Sequence, residues 1–308
     1  MQNQKTNYSA MVKNKKEKPD DLTTALDCAV RDASELRGGY KIGEVSYCNY
    51  MTNDDWSKFY EGINPSHKKQ FDDGSGGELK EKKYPPKMAS FGSSSRLIYD
   101  LSHKIKGFSF EAKLDTRVGG IAHLDGFLKR EENYIYVEAK KREIYGASHE
   151  NESIKKVYLD VYERIHEECK EFSIENIDSD KDEYSKVTFM IEGKPVQYFD
   201  LKQLICHFLG ITYDIAKHFT LKSNVKFLYL IYNPIELKES INEKYKEKLL
   251  KRYDDVHEFI ESCISKRYFS SIFQSVLNYQ VKTQNLRVKP EISFEMKLVD
   301  QNSYIKEF

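Results

Sequence analysis

The chain has 308 residues, and its 49 basic and 49 acidic side chains give a formal net charge of +0. That balance argues against a strongly basic field that would bind nucleic acid by charge alone, although local patches still set phosphate affinity. A hydrophobic fraction of 39% with 32% charged residues fits neither a membrane protein nor a wholly disordered one.

No stretch reaches the roughly 20 consecutive apolar residues needed to cross a bilayer, and the start shows no apolar run of signal-peptide length. The five cysteines are widely spaced and form no CxxC pair. Reduced, structural thiols in a cytoplasmic protein are expected, with a zinc cluster drawing on distant residues as the alternative. Residues 1–20, with Lys13, Lys15, Lys16 and Lys18, read as a flexible basic tail. Residues 21–308 then read as a single domain with its core at about 88–233.

From Asp21, Leu22, Ala25, Leu26, Ala29 and Val30 fall at helical spacing, and Gly38 and Gly39 mark the stop. Trp56, Phe59 and Tyr60 predict a short helix. The run from Phe71 to Pro86 reads as an exposed loop. Its Asp72-Asp73-Gly74 lacks the ligand periodicity of a calcium loop. Ser93 or Ser94 can cap a helix reaching about Lys104, with Leu97, Ile98 and Leu101 turned inward and Asp100 its one acid. Arg96 on that helix is either a phosphate contact or half of a surface ion pair.

Three strands are expected next. Residues 108–116 carry Glu111 and Lys113, a second strand carries His123 and Asp125, and a third, from Tyr134, carries Glu138 and Lys140. Residues two apart on a strand share a face, so Glu138 and Lys140 point together. Glu111-Ala112-Lys113 is a rival triplet, but the later one can pair with Asp125 across a hairpin. Two carboxylates suit a hard cation such as Mg²⁺, and an amine beside them can orient water or stabilise developing charge. The bland alternative is a same-face ion pair between Glu138 and Lys140. Lys141 and Arg142 could reach phosphates or simply solvate the strand end.

A helix is predicted over about 153–170, on Ile154, Val157, Val161 and Ile165. Residues 173–186 read as an acidic exposed break and 187–193 as a strand. A helical region from Tyr198 places Gln203 and His207 on one face, flanking a phosphate site or lying as ordinary surface residues. The apolar run 225–234 predicts a strand covered on both faces. A long charged helix over 241–268, further helix after it and a strand over 291–299 complete the chain.

The segments around Asp125 and Val137-Glu138-Ala139-Lys140 resemble the PD-(D/E)xK nuclease superfamily, whose signature is an acid on one strand and Glu-x-Lys on its hairpin partner. Leu124 stands where the signature has proline. SSSRLIYDL (from Ser93) and GGIAHLDGFL (from Gly119) resemble a bacterial branch of restriction-endonuclease-like proteins. The resemblance implies an α/β fold with an αβββαβ core, a mixed central sheet flanked by helices, and helical additions at both ends. It implies Mg²⁺-dependent hydrolysis of DNA, with Mn²⁺ as a substitute cation and an endonuclease of restriction or repair type. Asp125, Glu138, Lys140, Gln203 and Glu111 would then be catalytic. Asp125, Glu138 and the Ala139 carbonyl would hold metal, with Glu111 and Asp100 competing to add an acid. Arg96, Lys141, Arg142 and His207 would contact nucleic acid. A homodimer would suit a double-strand cut, though no motif establishes one. A non-catalytic binding or structural protein on the same sheet, and a hydrolase of another phosphoester, stay open as rivals.

Overall fold

A computed structural model describes residues 22–34, 38–74, 77–146, 149, 152–181, 183–217, 222–284 and 291–308. The basic stretch 1–20 lies outside the described residues. In chain order the elements are α1 (Leu22–Ala33), β1 (Gly38–Ile42), β2 (Val45–Met51), α2 (Asn53–Gly62), α3 (Pro65–Asp73) and α4 (Ser94–Ser102). Then come β3 (Ser109–Asp115), β4 (Ile121–Arg130), β5 (Asn133–Lys140), β6 (Glu152–Lys155), α5 (Leu159–Glu168), β7 (Phe172–Lys181), β8 (Tyr184–Ile191) and β9 (Lys194–Pro195). The rest are α6 (Leu201–Lys217), β10 (Lys222–Ile231), α7 (Glu243–Ser265), α8 (Tyr268–Thr283) and β11 (Glu291–Val299).

The central sheet runs β11-β10-β5-β4-β3. β3, β4 and β5 form an antiparallel meander, whereas β10 lies parallel to both β5 and β11. The architecture is therefore α/β with a mixed sheet flanked by helices. β10 sits between two parallel neighbours, which explains its unbroken apolar run: Phe227, Leu228, Leu230 and Ile231 are all fully buried.

Aromatic packing fixes the helices to this sheet. Phe273 of α8 stacks on Phe294 of β11 with centroids 4.0 Å apart. Phe208 of α6 meets both rings edge-on, at 5.3 and 5.2 Å. At Gly210 the α6 backbone comes so close to the sheet that an added Cβ would lie 2.7 Å from Leu114 Cβ and 2.9 Å from Ala122 Cβ.

The residues between β5 and α6 build a second sheet, β6-β8-β7, with β9 on β8. Two expectations are corrected here. The acidic stretch 173–186 is largely strand, because Phe172 and Ile174 alternate with polar neighbours and pair with Ile191 and Phe189 of β8; the local apolar alternation outweighs the charge. The helix expected from Ser153 begins only at Leu159, since residues 152–155 pair with β8 and Val157 is exposed. Further upstream, Gly38 and Gly39 open β1 rather than stopping α1. The β1–β2 hairpin and α3 occupy stretches with no clear periodic signal. The five cysteines are free thiols. Among the described residues no helix is long and apolar enough to cross a membrane.

The close approach at Gly210 gives a direct test of how α6 docks. The blocking atoms are Cβ carbons carried on strands, so they cannot swing aside. Gly210→Ala should destabilise the protein by about 1–3 kcal/mol through overpacking, despite the roughly 1 kcal/mol that alanine gains over glycine in a helix. Urea unfolding monitored by circular dichroism reads the shift; an unchanged or raised midpoint would contradict the packing.

Candidate functional site

The β4–β5 ladder stops at Gly126–Val137. One step further, the register sets Asp125 across from Glu138, but the side chain replaces the backbone pairing: Asp125 Oδ2 accepts a hydrogen bond from the Ala139 N–H at 2.7 Å. On the other side, the β3–β4 pairs Phe110–Gly126 and Ala112–Leu124 bracket Glu111 and set it across from Asp125. Glu111 has φ 54°, a left-handed conformation that costs a non-glycine residue about 1–2 kcal/mol. Three acids thus occupy one row across β3, β4 and β5, with a backbone distortion at its edge.

Lys140 answers part of that negative charge. Its Nζ lies 2.7 Å from Glu138 Oε1 and donates to Gln203 Oε1 at 2.6 Å. Gln203 is placed by the start of α6, where Asp200 Oδ1 accepts the Gln203 N–H at 2.8 Å. One turn on, His207 Nε2 stands 3.7 Å from Glu138 Oε2. That separation is too long for a hydrogen bond. Glu138 is 3% exposed, and its Oε2 has no hydrogen-bond partner.

The charges respond to this crowding. Burial, reinforced by Glu138, pushes the Asp125 carboxyl well above its ordinary range, against the opposing pull of Lys140 and the Ala139 N–H. Burial pulls Lys140 down, but Glu138 together with the smaller pulls of Tyr229, Glu143 and Asp125 outweighs it and holds the amine protonated, well above its usual value. Burial first, and then Glu78, pushes Glu111 up to about 7. His207 is driven down by burial, towards the neutral imidazole.

Asp125, Glu138, Lys140, Gln203 and His207 therefore come together, with Glu111 next in the row. Asp100 does not share its ion pair with them: it faces Arg96 on its own helix, Nε to Oδ2 at 3.6 Å. The residues expected to touch nucleic acid are placed as follows. Arg96 is in that ion pair, the alternative role left open for it. Lys141 is buried at 8% exposure, as is His207 at 2%. Arg142 pairs with Asp27 at 3.2 Å.

Several residues near the site were not singled out from the sequence. Glu78, buried and paired through Oε1 with Lys87 at 3.0 Å, comes from the stretch read as an exposed loop. Asp200 directly precedes a helix, the position where an aspartate caps, so a capping signal could have found it. His149 and Glu152 offer no spacing cue. Together with Asp200 they form a cluster whose ligand atoms lie within 4.8 Å of one another. No family model, no curated protein and no solved structure matches the chain.

Glu111 provides a pH test. Its folded pKa of about 7 lies above the ordinary carboxylate value, so the native state keeps a proton that the unfolded chain has already released. Stability should therefore fall as pH rises from roughly 4.5 to 7. Glu111→Gln should remove on the order of 2 kcal/mol of that fall. Urea midpoints with EDTA present, taken across this window, check it; parallel curves for the two proteins would contradict the placement.

Proposed function

We propose that the chain is a metal-dependent hydrolase of phosphodiester bonds, acting on DNA as an endonuclease built on the PD-(D/E)xK pattern. The observation that carries this reading is Glu138: a buried carboxylate with one oxygen on Lys140 and the other without a hydrogen-bond partner. Leaving a buried charged acceptor unsatisfied is costly, and a cation is the ligand that removes the cost. Further support comes from the order α4-β3-β4-β5-α6-β10, which matches the αβββαβ order of that fold with the second sheet inserted before α6.

The donor set fits a hard divalent cation. Asp125 uses Oδ2 on the Ala139 N–H and keeps Oδ1 for another partner, and Glu138 offers Oε2. Mg²⁺ and Mn²⁺ favour such oxygens, and the Ala139 carbonyl is a third donor in this reading. When bound there, the cation supplies Lewis-acid polarisation of a phosphoryl oxygen and makes water more acidic.

The chain's own residues divide the remaining work. Lys140 stays a cation, so it serves as a hydrogen-bond donor rather than a base. Glu138 and Gln203 take two of its three N–H directions, which leaves one for an oxygen of the substrate or of the attacking water. Gln203 is a positioning residue: it fixes the amine without neutralising it. Glu111, with a proton affinity near neutrality, can exchange a proton at the edge of the row.

One observation favours a second reading, hydrolysis of a smaller phosphoester: Arg96, Lys141, Arg142 and His207 are ion-paired or buried rather than arrayed on an exposed basic surface. The same experiment separates the two. Purified chain is assayed with Mg²⁺ or Mn²⁺ on supercoiled, linear, branched and single-stranded DNA, on RNA, and on small phosphodiesters. DNA cleavage is expected, lost by roughly 10²–10³-fold in Glu138→Gln and in Lys140→Met, with circular dichroism confirming that both variants fold. Gln203→Ala should lower turnover less, because it loosens Lys140 without removing it. Turnover of small phosphodiesters alone would favour the second reading, and no metal-dependent hydrolysis of any substrate would overturn the proposal.

A further inference from the structure

A second cluster of ligating side chains lies outside the Asp125–Glu138 pair. His149 follows the β5 end of the central sheet, Glu152 opens β6 of the second sheet, and Asp200 precedes α6. Each offers one ligand atom, and the three atoms lie within 4.8 Å of one another. Two of the three are already bonded to each other, so an ion would have to replace the contact between His149 and Glu152. Glu152 uses Oε2 on Lys202 Nζ at 2.7 Å, while its Oε1 sits 2.7 Å from His149 Nδ1. Asp200 uses Oδ1 on the Gln203 N–H, so Oδ2 is the oxygen left to ligate.

A second observation points to a ligand. His149 and Asp200 line a cavity of about 70 Å³, together with Lys140, Glu143 and Tyr229. The volume is about that of two water molecules. Tyr229 is 3% exposed and lines this cavity, with no hydrogen bond from its hydroxyl to a described residue. The carboxylates of Glu152, Asp200 and Glu143 also exceed the ammonium groups of Lys202 and Lys140 around this cavity by one.

We propose that His149, Glu152 and Asp200 form a binding site for a divalent transition-metal ion, Zn²⁺ in the first instance, separate from the Asp125–Glu138 site. One imidazole nitrogen with two carboxylate oxygens is a donor set that suits zinc better than magnesium, which prefers oxygen alone. The cavity leaves room for water at the remaining positions, and Tyr229 is at hand to bond it. Lys202 and the Gln203 N–H serve as outer partners, each fixing the oxygen that faces away from the ion.

The site joins three separate parts of the chain. An ion there would tie the second sheet, through Glu152, to the start of α6, through Asp200. That end of α6 carries Gln203, which holds Lys140. The site would thus set the position of the amine without touching substrate, and it stands whether or not the chain is a nuclease.

The experiment uses full-length protein stripped of metal and titrated with Zn²⁺ by calorimetry, with Co²⁺ as a spectroscopic probe. Expected are Zn²⁺ binding that persists in the Asp125→Asn/Glu138→Gln double variant and a Co²⁺ visible spectrum of imidazole ligation. His149→Ala should weaken Zn²⁺ binding by more than the roughly 10–100-fold that loss of an outer partner costs. Asp200→Asn should weaken it too while keeping the α6 cap, because asparagine accepts the same backbone N–H. Thermal melting of each variant without metal checks folding. Absence of Zn²⁺ binding, or binding lost in the double variant but kept in His149→Ala, would overturn the proposal. Failure of nuclease activity alone would leave these titrations unchanged, so the two readings can fail separately.

Discussion

The ion pair between Lys140 and Glu138 is the contact on which the site depends. Both side chains are nearly buried, so neither charge is solvated well enough to stand alone. Their meeting helps hold Lys140 protonated, and it leaves Glu138 Oε2 without a hydrogen bond, 3.7 Å from His207 Nε2. Asp125 and Glu111 follow Glu138 in the same row and carry like charge. One amine cannot neutralise three carboxylates; burial first, and then the like charge of Glu138 at Asp125 and of Glu78 at Glu111, raises the proton affinity of both acids. A row of this kind takes up protons more readily than isolated carboxylates do.

Holding such a row requires a rigid frame, and α6 provides much of it. Asp200 caps the helix, Gln203 reaches Lys140 from its first turn, and His207 fills the next turn against Glu138. Gly210 then lets the helix lie against β3 and β4 closely enough to fix its height above the sheet. The Phe208–Phe273–Phe294 cluster secures the same helix to α8 and β11. Polar aim and apolar packing therefore reside on one element, on successive turns. A shift of α6 would loosen the Lys140 contact as it opened the core.

The second sheet enters the chain between the last residue of the row and the helix that supports it. Its first strand places Glu152 beside Asp200, and Lys202 of α6 reaches back to Glu152. The insertion is thus not attached only through its ends. Its polar contact with α6 falls at the helix terminus that aims Gln203.

Much of the central sheet was legible in the sequence. Period-two alternation and the short charged turn marked the β4–β5 hairpin, the unbroken apolar run of β10 announced a strand covered on both faces, and Ser93 marked the start of α4, where its side chain accepts the Arg96 N–H. The pairing of Glu138 with Lys140 followed from strand geometry alone, because residues two apart must share a face. Hairpin register, likewise a local property, brought Asp125 to the same place. The strands β6 and β7 were obscured because a helical spacing of apolar residues and a run of acids dominate those windows, while their pairing partners lie elsewhere in the chain. Tertiary structure alone decided that His207 is buried against Glu138, that Arg96 and Arg142 are spent in ion pairs, that Glu78 approaches Glu111, and that His149, Glu152 and Asp200 converge. Periodicity and local propensity act over a few residues, whereas burial and charge pairing are set by whichever distant segments the completed core brings together.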